Sequence, residues 1–365
     1  MLTVNIAGVT HAYELTEAFS AEYAATQAPA DAFQQTTKPH AISPLEEAAY
    51  RPTLVFIHGW LLSQAYWRPL VHQLSETFRC LTYDLRGFGA STGSLAHSGG
   101  DRKITIPQER LSPLRHFLVR DSDRFPASEY SLAAYAQDLE ALLDHLEIER
   151  VWLLGHSLGG SIALWAAYLL PHRVEGVICI NAGGGIYIHT EFEKFRSAGQ
   201  QMVKVRPPWL SQLPLLPRVF SRLMVKQPLA THWGRQRIED FVRAGRQAAE
   251  GALLETTSQQ EVHLLPQVVR EITQPVHFIT ATEDTIMPPR YVRYLASFHP
   301  QFITGETVTE LSDCGHMAMV EQPDTVANVI RSVLREAVPR KANQSTEIDG
   351  QSKRGAPTDI AIPPR

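Results

Sequence analysis

The sequence predicts an α/β domain built on a mostly parallel sheet with helices on both faces. Three observations carry that expectation. From Thr53 onward, short apolar runs rich in β-branched residues alternate with amphipathic stretches, the pattern of strands joined by crossover helices. At 365 residues, the chain is long enough for one such domain with an insertion. Its most apolar window, 153–170, holds Gly155, His156, Gly159, Gly160 and two serines and meets Pro171 at its end. That window divides into a strand of about six residues and a helix of about twelve, and is not a membrane span.

Taken in order, the N-terminal stretch MLTVNIAGVTHAYELTEAF reads as a strand and lacks the basic start and continuous apolar centre of an export signal. Further strands are predicted at Leu54–Ile57, Cys80–Tyr83, Val151–Leu154, Val177–Ile180, Val276–Thr280 and Thr307–Leu311. Helices are predicted near Tyr66–Thr77, Leu132–Leu146, Leu158–Leu170, Pro289–Ser297 and Asp324–Ala337. In the second of these, Leu132, Tyr135, Leu139, Leu142, Leu143 and Leu146 recur every three or four residues, which gives one apolar face.

Two segments interrupt the alternation. Residues 93–128 are punctuated by Ser, Gly and Pro without a sustained period and exceed an ordinary connection. Residues 183–274 are helical in pattern and large enough to form a cap or lid. The expected organisation is therefore a core of 1–182 and 275–338, with irregular insertions at 20–49 and 93–128. A helical cap at 183–274 and a disordered polar tail at 339–365 complete it.

Composition excludes several classes. Lys plus Arg number 34 against 38 Asp plus Glu, so the net charge of -4 gives no basic footprint for nucleic acid, and 44% hydrophobic content does not suit a disordered chain. Cys80, Cys179 and Cys314 are widely spaced and form neither a disulfide framework nor a metal-ligand pattern. A reducing, cytoplasmic setting fits them, and neither a metal nor an organic cofactor is called for.

The chemistry concentrates in VWLLGHSLGG, residues 151–160. An apolar strand runs into Gly155-His156-Ser157-Leu158-Gly159 and then into a helix. In a sharp strand-to-helix turn the central residue takes a strained backbone, flanking glycines let neighbouring chain pass, and the hydroxyl is held above the sheet. The N–H of Leu158, at the helix N-terminus, is placed to stabilise an oxyanion. Phe56-Ile57-His58-Gly59-Trp60 supplies a second strand-to-loop turn, with the Trp60 N–H as the other donor and its indole as a pocket wall. A serine nucleophile needs a base and an orienting acid. Asp284 follows one late strand and His316 the next, in Asp313-Cys314-Gly315-His316-Met317. The chain order Ser157, Asp284, His316 is the one expected when all three project from the carboxyl edge of a parallel sheet. Glu283 is the adjacent rival for the acid, and an N-cap ahead of Pro288-Pro289 is the plainer use of Asp284.

With Tyr83-Asp84-Leu85-Arg86-Gly87-Phe88-Gly89-Ala90-Ser91 added, these motifs make the sequence resemble the α/β-hydrolase superfamily, in its serine-nucleophile, esterase- or lipase-like branch, over roughly 53–182 and 275–337. The resemblance implies an eight-stranded, mostly parallel sheet with a helical cap inserted after the sixth strand. It also implies a catalytic triad of Ser157, Asp284 and His316 with Trp60 and Leu158 as oxyanion donors. The long segment after Ser91 and the residues before Arg51 depart from the pattern and bear on substrate class, not on chemistry.

Other polar residues near these motifs read as structural. His58 and His156 are expected to brace their loops, Asp84 and Arg86 to form one ionic and hydrogen-bonded arrangement behind the site, and Cys314 to be a small buried side chain. In the cap, residues 205–220 are apolar but broken by four prolines, which suits an irregular hydrophobic flap. Trp209, Leu213 and Phe220 are its candidate substrate contacts. Between Glu191 and Glu250, eleven Lys or Arg face five Asp or Glu, a local excess of +6. Such a cap is a candidate for peripheral contact with an anionic membrane, and a simply solvated cationic face is the plainer alternative.

The expected reaction is hydrolysis of a carboxylic ester with an apolar portion through an acyl-enzyme. Carbon–carbon hydrolysis of diketone-like substrates, thioester hydrolysis, removal of an N-terminal proline, and a ligand receptor with vestigial hydrolysis are the alternatives that the same triad leaves open. The partner expected is a small ester, with no nucleic acid.

Overall fold

The computed structural model describes residues 1–6, 8–18, 52–91, 114, 128–185 and 189–347. One eight-stranded sheet organises them. Its strands are β1 (Leu2–Ile6), β2 (Val9–Thr16), β3 (Thr53–Ile57), β4 (Cys80–Tyr83), β5 (Val151–His156), β6 (Val174–Ile180), β7 (Val276–Ala281) and β8 (Val308–Leu311), in spatial order β1-β2-β4-β3-β5-β6-β7-β8. The β1–β2 and β2–β4 pairs are antiparallel and every later pair is parallel. The six strands predicted after residue 53 all form. The N-terminal stretch, expected as one strand, is a hairpin, because Gly8 turns the chain at φ +84° and donates its N–H to Asn5 Oδ1 at 3.1 Å.

The central strands are buried on both faces, as parallel strands under two helical layers must be. Their alternating side chains feed two separate apolar clusters. Val55, Leu81, Val151, Leu153, Val177 and Phe278 point into one. Leu54, Phe56, Trp152, Leu154, Ile178 and Ile279 point into the other. The second cluster is closed by α1 (Arg68–Leu74), through Leu70 and Leu74, and by the C-terminal helix, through Val326, Ile330 and Leu334. The first is closed by α2 (Leu132–His145) and α3 (Leu158–Leu169). The start of α2 is set by Ser131, whose hydroxyl accepts the N–H of Ala134 at 3.2 Å.

Between β6 and β7 the chain forms α4 (His189–Lys204), a 3₁₀ turn at Pro208–Gln212, α5 (Leu216–Phe220), α6 (Thr231–Arg243), α7 (Arg246–Thr256) and α8 (Gln259–Glu271). Prolines 207, 208, 214 and 217 divide the 205–220 stretch into those short pieces. After β7 come α9 (Pro289–Ala296), α10 (Ala318–Glu321) and α11 (Pro323–Glu347). The last helix runs through Pro339, where the polar tail was expected to begin, and on to Glu347. The insertion expected at 20–49 lies outside the described residues, as does 93–128 apart from Leu114 and Ser128. Among the described residues, no helix is long and apolar enough to cross a membrane.

Candidate active site

At the end of β5 the backbone reverses into α3 through Ser157, which sits at φ +53° and ψ -119°. A serine in that conformation is strained, and the surroundings hold it there. A Cβ on Gly155 would lie 2.2 Å from the carbonyl oxygen of Gly159, and one on Gly159 would lie 2.1 Å from that of Ile57. Both glycines are therefore required by close backbone approach, and the turn packs directly on the end of β3.

His316 follows β8. Its Nδ1 donates to Asp284 Oδ2 at 2.8 Å, which leaves Nε2 with a free lone pair. Asp284 is 3% exposed and fully engaged. Its Oδ1 accepts the N–H groups of Ile286 (2.9 Å) and Met287 (2.8 Å), and Oδ2 also accepts Nδ2 of Asn181 at 2.9 Å. Burial alone would raise its pKa, but the facing imidazole and these donors outweigh that and hold it at about 2. The rival carboxylate, Glu283, instead faces Lys226 at 3.5 Å on the surface.

The backbone of His316 is held from two directions. Its carbonyl accepts the Nε2 proton of His156 at 2.8 Å, and its N–H donates to the carbonyl of Met224 at 2.8 Å. Burial, followed by the proximity of His316, lowers the His156 pKa to about 3, so His156 is a neutral brace. His58 is likewise neutral. Leu85 N–H donates to its Nε2 at 2.9 Å, so its proton lies on Nδ1 and reaches the Gly59 carbonyl at 2.8 Å, and burial lowers its pKa. Cys314 is buried, with its thiol pushed up to about 12 by burial. These three residues behave as their sequence context suggests.

Asp84 and Arg86 do not share one arrangement. Asp84 accepts Gln64 N–H (2.7 Å) and Ala90 N–H (2.8 Å), tying together the loops after β3 and β4. Arg86 instead turns to Asp138 on α2, with its Nε at 2.9 Å. A carboxylate two positions ahead in sequence was the obvious partner, but it is committed to the N–H groups of Gln64 and Ala90 and to the Gln64 side-chain amide.

The Trp60 indole donates to the Ala249 carbonyl of α7 at 2.8 Å, which fixes the ring between core and cap. Leu158 is the first residue of α3, so its N–H is one of the unpaired donors of a helix start. Two cavities meet at Ser157. The larger, about 390 Å³, is bordered by Ser157, His316, Met202, Phe220, Phe241 and Met317. The smaller, about 90 Å³, is bordered by Ser157, Leu158, Ser161, Leu253, Thr256 and Met287. Trp60, Phe195 and Ile286 border both. Of the cap residues predicted to contact substrate, Phe220 lines the larger cavity, whereas Trp209 and Leu213 are 56% and 41% exposed and border neither. The 3₁₀ turn that carries Trp209 lies on the outer side of the cap.

Sequence reasoning missed Asn181 and Glu321. Asn181 follows β6 directly, at φ +49°, and its amide orientation is set by two acceptors, Asp284 Oδ2 and the Gly315 carbonyl. A polar residue closing an apolar strand beside β5 was the available signal. Glu321 accepts the N–H groups of Gly315 (3.0 Å), Met317 (3.0 Å) and Lys226 (2.8 Å), and nothing local in the sequence marks it. Among the described residues, no three His, Cys, Asp or Glu side chains are grouped to hold a metal.

Comparison with known proteins agrees with this architecture. A family model described as the alpha/beta hydrolase fold matches residues 52–323. The uncharacterized protein Rv2715 of Mycobacterium tuberculosis is 24% identical over 306 residues, covering 80% of this chain and 78% of that protein. A 3-oxoadipate enol-lactonase of Acinetobacter baylyi is 23% identical over 296 residues, covering 79% and 90%. Among solved structures, a thermophilic esterase from Thermogutta terrifontis superimposes with a TM-score of 0.59 at 19% identity, covering 92% of this chain and 97% of that one.

Proposed function

The chain belongs to the α/β-hydrolase fold family, and on that premise we propose that it is a serine hydrolase cleaving a carboxylic ester with an apolar portion. The observation that carries the reading is Ser157, held at φ +53° on the wall of one apolar cavity with an imidazole whose Nδ1 is bound to a buried carboxylate. Nε2 of His316 takes the proton as the Ser157 hydroxyl attacks the ester carbonyl. The N–H groups of Trp60 and Leu158 stabilise the oxyanion, and His316 returns the proton to the departing alcohol. Water then attacks the acyl-enzyme by the same route, while Asp284 holds the tautomer and stabilises the imidazolium.

The unequal cavities suggest which part of the ester goes where. His316 borders only the larger one, so the alcohol it protonates leaves through about 390 Å³, and the acyl group occupies about 90 Å³. An apolar cavity of about 150 Å³ takes benzene, so the acyl side suits a few carbons and the alcohol side a far bulkier group. The relative named a 3-oxoadipate enol-lactonase is by its name an enzyme of a cyclic ester, which is consistent with this chemistry.

A substrate panel tests the proposal. Esters of one bulky alcohol with acyl chains of increasing length should turn over fastest with short acyl groups. Diketones, thioesters and prolyl amides presented at the same concentration should be slower. Rapid cleavage of a diketone, thioester or prolyl amide with esters left intact would overturn the ester reading.

A further inference from the structure

Residues 194–238 carry nine Lys or Arg and no Asp or Glu, in a chain of net charge -4. The structure divides these cations into two kinds. Arg237 is buried and donates to the Phe220 and Leu223 carbonyls, and Arg206 is half-buried and donates to those of Val203, Phe241 and Ala244. These two fasten the proline-broken segment to α6. Lys204, Arg218, Arg222 and Lys226 stand on the outside instead.

Among these outer cations lies an apolar strip. Of the twelve large apolar residues exposed among those described, eight fall between Met202 and Met224, so the feature is local. Val205, Trp209, Leu215 and Val219 are 51–68% exposed. Met202, Leu223 and Met224 are exposed and also line the larger cavity, so the strip is continuous with the mouth leading to Ser157.

We propose that this strip, Met202 to Lys226, docks the protein on an anionic lipid surface. Exposed apolar side chains interspersed with cations match the boundary between acyl chains and anionic headgroups; the segment itself carries no carboxylate, and of its outer cations Lys226 faces Glu283, at 3.5 Å. A second copy of the chain suits the strip poorly, because a two-fold contact would bring two cationic segments together with no carboxylate of their own to pair them. Docking in this way turns the cavity mouth toward the lipid, so an apolar ligand passes Met202, Leu223 and Met224 without crossing water. The proposal goes beyond the hydrolase reading, and vesicle binding does not depend on turnover.

The test is co-flotation of the full chain with vesicles of phosphatidylcholine alone or with added phosphatidylserine, at about 0.05 and about 0.5 M salt. Binding is expected to the anionic vesicles at low salt and to fall as salt rises. Each cation near such a surface contributes about fivefold in partition, so the double substitution Arg218→Glu and Arg222→Glu should weaken binding by about 30-fold or more. Leu215→Ser with Val219→Ser should also weaken it. Both variants should hydrolyse a short dissolved ester at the parental rate, which verifies folding; should the parent prove inactive on esters, an unchanged circular dichroism spectrum serves instead. Equal binding to neutral and anionic vesicles, absence of binding, or undiminished binding by either variant would overturn the proposal. Concentration-dependent dimerisation in sedimentation, lost in the Leu215 and Val219 variant and without vesicle binding, would assign the strip to self-association.

Discussion

The backbone N–H of His316 donates to the carbonyl of Met224 at 2.8 Å, so the loop that carries the proposed base is bonded directly to the cap. The contact is tight. A Cβ on Gly315 would lie 2.8 Å from the Lys226 nitrogen, so only glycine lets the two backbones meet. Cap and proposed base therefore share one positional constraint, and groups that hold the junction are expected to affect turnover without touching substrate.

Glu321 is the clearest such group. Its two oxygens receive N–H donors from both sides of the junction, Gly315 and Met317 on the loop and Lys226 on the cap. Glu321→Gln replaces one acceptor with an amide that faces those donors. Hydrogen bonds to a charged group contribute about 1.5–3 kcal/mol each, so a loss of about 2–3 kcal/mol is expected in urea unfolding, together with a lower kcat/KM. An unchanged midpoint and unchanged kinetics would remove Glu321 from the account.

Asn181 donates to the carboxylate proposed as the orienting acid. Asn181→Asp keeps the side-chain size and tolerates φ +49°, but it exchanges a donor for a second carboxylate 2.9 Å from Asp284. One of the two carboxyls is then forced to a higher pKa. The acid limb of kcat/KM is expected to move to higher pH, and kcat to fall at least about tenfold with little change in KM, the scale of one lost hydrogen bond to a charge. A pH profile that superimposes on the parent's would argue that Asn181 only packs.

Glu261, at the start of α8, is 1% exposed, and burial pushes its carboxyl up to about 8. The unfolded chain releases that proton near about 4.3. Because the folded value is the higher one, the contribution is fully present below pH ~4.3 and is lost as pH rises toward 8. Glu261→Gln should therefore raise the unfolding midpoint at pH 8 relative to the parent and change it little at pH 4. The reverse ordering would place a charged carboxylate at this position.

Much of this was legible in the sequence, for identifiable reasons. The parallel strands and the Ser157 turn rest on local patterns, an apolar β-branched run and two glycines whose neighbours lie within a few residues or on the adjoining strand. Asp284 and His316 were readable because both follow strand ends at the sheet's carboxyl edge. Asn181 was not, since its carboxylate partner lies 103 residues away, and neither was the bridge from Glu321 to the cap, since Lys226 lies 95 residues away; both depend on how the layers close. The cap misled for a different reason. Apolar residues without a period do not say which side faces a cavity, and packing of α5 on α6 turned Phe220 inward and left Trp209 outside.

Covalent labelling by a fluorophosphonate tests Ser157 as the nucleophile. Phosphonylation needs an activated hydroxyl beside an oxyanion site, and an ordinary surface serine has neither. Mass spectrometry of the digested protein should place a single adduct on Ser157. The Ser157→Ala protein, with an unchanged circular dichroism spectrum, should take no label and lose ester turnover by roughly 10³-fold or more. A folded Ser157→Ala protein that still labels, or that retains near-parental turnover, would rule out Ser157 as the nucleophile.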